Sequence, residues 1–138
     1  MLCHRIARFG IVVGLLITVS AALSAEVGAP ALPKAGVQIT RLEDRLRVEI
    51  NGELFTEYFF KDVPRPYCYP LIGPGKVAMT RNWPMKEVPG EERDHPHHRS
   101  LWFAHGAING HDFWSEQKAF GKTVHEEFLE VRSGQEWG

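Results

Sequence analysis

The chain has 138 residues, 43% of them hydrophobic and 24% charged, with a net charge of -1. That balance excludes a disordered tail, a collagen-like rod and a coiled coil, and predicts an ordinary globular domain. No basic excess exists to neutralise phosphates, so nucleic acid is not an expected partner.

Arg5 and Arg8 precede an apolar run from Phe9 to Leu23, and the small residues Ala21, Ala22, Ser24 and Ala25 close it. Basic, apolar and small residues in that order predict a secretory signal over residues 1–25, cleaved between Ala22 and Ala25. The protein is then expected in the periplasm or outside the cell. An uncleaved anchor is the alternative, but the run is shorter than the ~18–20 apolar residues a span prefers. No other stretch is apolar enough to cross a bilayer, so no membrane contact is expected after cleavage. Cys3 leaves with the signal. Cys68 then stands alone between Tyr67 and Tyr69, and a buried structural thiol is the expectation.

Residues 26–36, with Pro30, Pro33 and Gly36, read as a linker. A β domain is expected over 37–138. Val37 to Leu42 favours a strand, and Leu46, Val48 and Ile50 alternate with charged residues in the next. Glu43-Asp44 predicts the turn between them. Asn51-Gly52, the strongest hairpin dipeptide in the chain, predicts the turn into a third strand, Leu54 to Phe60. Tyr67 to Ile72 reads as a short aromatic strand weakened by Pro70. Gly73-Pro74-Gly75 is a turn, and Val77 to Thr80 begins another short strand. Residues 81–94 show no periodicity, hold Pro84, Pro89 and Gly90, and predict a long loop. Arg99 to His105 reads as a strand. Its apolar run Leu101 to Ala104 does not alternate, which predicts a central strand covered on both faces. Asn109-Gly110 is a further turn, and Gly121 to Val131 reads as the last long strand. No helical period appears. The expected fold is an all-β antiparallel β-sandwich. Ser133-Gly134 promises a further hairpin that does not follow, so a fragment of a larger β domain is expected.

Four of the seven histidines fall in the stretch Asp94-His95-Pro96-His97-His98-Arg99-Ser100-Leu101-Trp102-Phe103-Ala104-His105-Gly106. Polar groups that dense, beside a segment that favours burial, are costly unless paired with one another or with a ligand. In extended backbone His95 and His97 would point one way and His98 the other. Three chemistries compete. Imidazoles at 95, 97, 98, 105, 111 and 125, with Asp94 or Glu91, can ligate a transition metal or zinc, although the spacing matches no tight signature. Histidine and carboxylate can pass protons on a sugar-like ligand, with Arg81 or Arg99 holding negative charge and tryptophans offering flat faces. Or the network is structural and pins the loop to the strand.

The residues from Thr80 to Met85 (Thr-Arg-Asn-Trp-Pro-Met), the histidine block, Asn109-Gly110 and Asp112-Phe113-Trp114 resemble one exported bacterial family of unknown function. That family carries the label "methane oxygenase PmoA". The label's mechanism does not transfer, because a lipid-embedded methane monooxygenase subunit needs many spans and this chain has none beyond its signal. The resemblance implies instead a galactose mutarotase-like supersandwich, and hence carbohydrate. In such sugar enzymes a histidine works with a carboxylate from a late strand. Family members run well beyond 138 residues, so that carboxylate is expected to be missing here. The leading expectation is a carbohydrate-binding or carbohydrate-acting site. His97 or His98 would carry protons and Asp94 would orient them. Arg81, His95, Arg99, His105 and His125 would contact substrate. The runners-up are a histidine-ligated, oxygenase-like metal site and a non-catalytic interaction module. No particular cofactor is implied.

Overall fold

The stretches that alternate most cleanly are the ones that pair. A computed structural model describes residues 35–138; the predicted signal and most of the predicted linker lie outside the described residues. Strand β1 (Val37–Arg41), β2 (Arg45–Ile50) and β3 (Glu53–Phe59) form an antiparallel meander. Asn51 and Gly52 turn the chain from β2 to β3 with φ of 53° and 80°. Positive φ at both central residues is what a tight hairpin needs, and Asn-Gly supplies it at least cost. Asn51 also braces the entry to β1: its side-chain Oδ1 accepts from the Gly36 N–H, and its own N–H donates to the Gly36 carbonyl, both at 2.8 Å.

In this meander Leu46 lies opposite Tyr58 and Val48 opposite Thr56. The register then shifts, so that Glu49 faces Leu54 and Phe55 has no partner residue. That bulge bends β3 and re-aims the residues beyond it. Leu46 and Tyr67 are the buried apolar residues, and Thr56 and Arg65 are the buried polar ones. Burying a leucine stabilises a fold by about 1.5–3 kcal/mol, so a core this thin leaves much of the holding to polar contacts.

β4 (Tyr67–Cys68) adds to β3, and β5 (Leu101–Trp102) adds to β4. The sheet order is therefore β1-β2-β3-β4-β5. β6 (Ala107–Ile108) and β7 (His111–Asp112) form a separate hairpin around Asn109-Gly110. The fold is all-β and antiparallel, with one single-turn 3-10 segment at Pro74–Lys76 and no α-helix among the described residues. Two antiparallel sheets are the layers from which a β-sandwich is built.

Three expectations are corrected. The strand read over Arg99 to His105 is only two residues long and lies at the edge of its sheet, not at its centre. Leu101 is 55% and Phe103 77% exposed, so its apolar run is not doubly covered. The strand read over Gly121 to Val131 has no ladder partner among the described residues. Its side chains His125 and Phe128 pack on Tyr58 of β3, and backbone hydrogen bonds to the sheet come only beyond it, where Val37 and Gly134 exchange them at 2.7 and 3.0 Å. There Gly36, buried and at φ 88°, lies against the Gly134–Gln135 backbone. The run from Val77 to Thr80 gives one isolated bridge, Ala78 to Ile72, rather than a strand.

Candidate functional site

The histidine block is a turn, not an extended strand. The His98 N–H donates to the His95 carbonyl at 3.0 Å, and Pro96 occupies the second position, where its fixed φ suits a β-turn. The turn reverses the expected side-chain geometry. His95 and His98, predicted on opposite sides, stack with ring centroids 4.7 Å apart and planes 22° from parallel. His97 meets both edge-on, at 5.9 and 4.5 Å. Trp114 approaches His97 at 6.2 Å and His98 at 5.7 Å, and Trp102 lies 6.1 Å from His98. Three imidazoles and two indoles thus form one continuous surface.

Arg81 fixes that surface from the loop. Its Nη1 donates to Asp94 Oδ1 at 2.5 Å, and its Nη2 donates to the carbonyls of Asp94 (2.7 Å) and His95 (3.0 Å). Its Nε donates to the Trp83 carbonyl. The second carboxylate oxygen of Asp94 meets His95 Nδ1 at 2.6 Å. Asp94 therefore orients His95, not His97 or His98, because the turn brings the adjacent ring back over it. Arg81, and then His95, hold the Asp94 carboxyl below its ordinary range by bonding to the charged form. Burial, and then the neighbouring His97 and His95, push His98 below the ordinary imidazole value, which favours its neutral form.

The loop behind the block is tied by Glu91, which accepts from the backbone N–H groups of Asn82 (2.7 Å) and Trp83 (3.2 Å). Asn82 in turn accepts from the Tyr69 hydroxyl at 2.7 Å. Thr80 and Ser100 share a hydroxyl hydrogen bond at 2.7 Å across the same junction.

Arg99 does not join the block. It forms a two-bond pair with Glu116, at 2.7 Å for each bond, and its guanidinium lies over Tyr67. Arg65 enters the same network from the other side. It is 2% exposed and sits over Trp102; its Nη1 donates to the Phe113 carbonyl at 2.6 Å, and its Nε faces Glu116 at 3.4 Å. His125 is elsewhere too, packed at 4.9 Å on Phe60 and 4.1 Å on Phe128. His105 is exposed and makes no ring contact with the block among the described residues. Of the eight residues read as a site, Arg81, Asp94, His95, His97 and His98 come together; Arg99, His105 and His125 do not. Arg65 and Glu116 join this network with no motif in the sequence to mark them. The only sequence signal for Arg65 was a lone cation between Pro64 and Pro66 at the mouth of an aromatic strand.

The two largest described grooves lie away from the histidine block. Two apolar grooves, one of about 890 Å³ over Ile50, Leu54, Phe55, Ile72 and Met79 and one of about 520 Å³ over Tyr67, Cys68 and Phe103, are lined by neither His95, His97 nor His98. Cys68 is half-buried and without a disulfide partner among the described residues, and burial pushes its thiol up. Among the described residues no three His, Cys, Asp or Glu side chains converge in metal-binding geometry. What the block offers is a preset carboxylate–imidazole pair, a neutral imidazole and two aromatic walls, all within reach of solvent.

Residues 45–138, more than half of the chain, match the family described as "Family of unknown function (DUF6807)", and the chain belongs to that family. No curated protein and no solved structure matches it.

Proposed function

We propose that the His95–His97–His98 face is a carbohydrate-contacting surface, with His97 and His98 as proton carriers. The observation that carries this reading is the joining of Trp102 and Trp114 to an imidazole cluster anchored by Asp94 and Arg81. Sugars present apolar C–H faces and hydroxyl edges. Indole faces suit the first, and imidazole nitrogens, each donor or acceptor by tautomer, suit the second. A neutral His98 is available as a base, and His95, oriented by Asp94, backs it through the ring stack. The reading extends the antiparallel sheets to a supersandwich of the galactose mutarotase type and takes the protein as exported.

The test is a histidine and indole NMR titration of tag-free protein against mono- and oligosaccharides. Shifts at His97, His98, Trp102 and Trp114 are expected with at least one sugar class. Silence from every sugar removes the proposal. Elemental analysis of the same sample separates the metal reading: a stoichiometric metal that broadens the three imidazole signals would replace sugar chemistry with ligation.

A further inference from the structure

Around the histidine block the carboxylates are already engaged. Asp94 gives one oxygen to Arg81 and the other to His95. Glu91 uses both oxygens on the backbone N–H groups of Asn82 and Trp83. Asp112 accepts from the N–H groups of Trp114 and Ser115 with one oxygen and from the Ser115 hydroxyl with the other. Glu116 holds Arg99 with both oxygens, and Glu87 is paired with Arg93 at 2.9 Å. Glu92 is the remaining acid of the loop; it is exposed, and so is Lys86, whose opposite charge offsets it.

The groups left over are donors. A guanidinium has five N–H groups. Arg81 directs them to the carbonyls of Trp83, Asp94 and His95 and to Asp94 Oδ1, which leaves one Nη1 N–H without a partner among the described residues. The Trp83 indole N–H is buried and lacks a partner there too. Trp102 and Trp114 bring indole N–H groups, which only donate, and each imidazole of the block gains a second donor when it takes a proton. Charge acts in the same direction. Burial lowers the His98 pKa first, and then His97, His95 and Arg81 oppose its protonation, with Asp94 alone favouring it. An anion beside these rings would relieve that repulsion and take up the idle donors. A neutral sugar fits less well, because each of its hydroxyls also donates and needs an acceptor, and the nearby carboxylates already hold other groups.

Resting on the sugar-contacting reading above, we propose that the sugar met by this face carries an anionic substituent, as a uronate or a sulfated sugar does. The anionic group would lie against the rings of His97 and His98, whose centroids are 4.5 Å apart. The apolar face of the sugar would lie on Trp102 and Trp114, whose centroids are 5.1 Å apart.

The experiment titrates the full, tag-free chain with trisaccharides of one linkage: galacturonate, its methyl ester, galactose and 6-sulfated galactose. Acetate is a further ligand, as an anion without a sugar. Affinity is read by calorimetry and the place of binding by histidine and indole NMR. Galacturonate or the sulfated trisaccharide is expected to bind about tenfold more tightly than the ester and galactose, with shifts at His97, His98, Trp102 and Trp114. The two anionic arms show which substituent the face takes, and the margin is expected to shrink as salt rises. His97→Gln and His98→Gln, each with an unchanged near-ultraviolet spectrum, are expected to bring the anionic and neutral sugars within about twofold of each other. Equal affinity of the intact chain for all four sugars overturns the inference and leaves the sugar face standing. Acetate that reproduces the galacturonate shifts at equal concentration overturns it in favour of a plain anion site. Silence from every sugar removes the sugar face itself and the inference with it.

Discussion

The meander of β1, β2 and β3 and the segment from Arg65 to Glu116 hold themselves together by different means. In the meander, backbone meets backbone, and alternating side chains place Leu46 and Thr56 inside. In the second region ladders are two residues long, and arginines take over the ladder's work. Arg81 gathers the carbonyls of Trp83, Asp94 and His95, and Arg65 gathers those of Phe113 and Ser115. A guanidinium carries five donors in a rigid fork, so one side chain can satisfy several loop carbonyls at once. The lesson is that irregular backbone can be tied down without a ladder where a guanidinium bonds the carbonyls that a neighbouring strand would otherwise take.

The sharpest way to break that contrast is Arg65→Met, which keeps volume but strips the charge from a 2%-exposed site beside Glu116. A loss of about 3–5 kcal/mol is expected in urea unfolding, because the Phe113 and Ser115 carbonyls each lose a charged donor worth about 1.5–3 kcal/mol, while Glu116 keeps Arg99. A loss under ~1 kcal/mol would show that the second region does not depend on its arginine. Leu46→Ala tests the other side and is expected to cost about 2–4 kcal/mol by opening a void in the meander. Arg81→Gln is expected to cost about 1–3 kcal/mol. Its more telling sign is local: the His98 amide should exchange faster while amides of β1 to β3 stay protected. The smallest effect belongs to His98. Its folded pKa is depressed, so its contribution to stability is complete above the ordinary imidazole value near 6.5 and is lost as pH falls through the lower folded value. His98→Gln should flatten the stability profile across that acid window and leave it unchanged at pH 8.

The meander was legible because its signals are local. Leu46, Val48 and Ile50 declare a strand, and Asn51-Gly52 declares its turn, within a few residues of one another. The apolar run at Leu101 misled because composition reports a wish for burial, not whether a neighbour exists to grant it. The Gly121–Val131 pattern reads as a strand, but alternation alone cannot supply a partner, and no ladder forms there. In the site, Asp94, His95, His97 and His98 stood out by density alone. Their grouping depended on Pro96 folding them into a turn, and the alternation rule of extended chain gave the wrong sides. Arg99 and His125 were drawn in by residue type. Their real partners, Glu116 and Phe128, could be found only in three dimensions, and Arg65 was passed over because one cation among prolines carries no periodic signal.

Gly36 has a consequence out of proportion to its size. A methyl group there would stand 2.4 Å from the Gly134 carbonyl oxygen and 2.5 Å from the Gln135 Cα, both backbone atoms that cannot swing aside. The first residue before the sheet and the tail that closes over its edge therefore meet through a single hydrogen's width. Adding one carbon at position 36 should lift residues 133–135 as a unit and uncover β1. A relative carrying a bulkier residue at that position would have to route its tail differently.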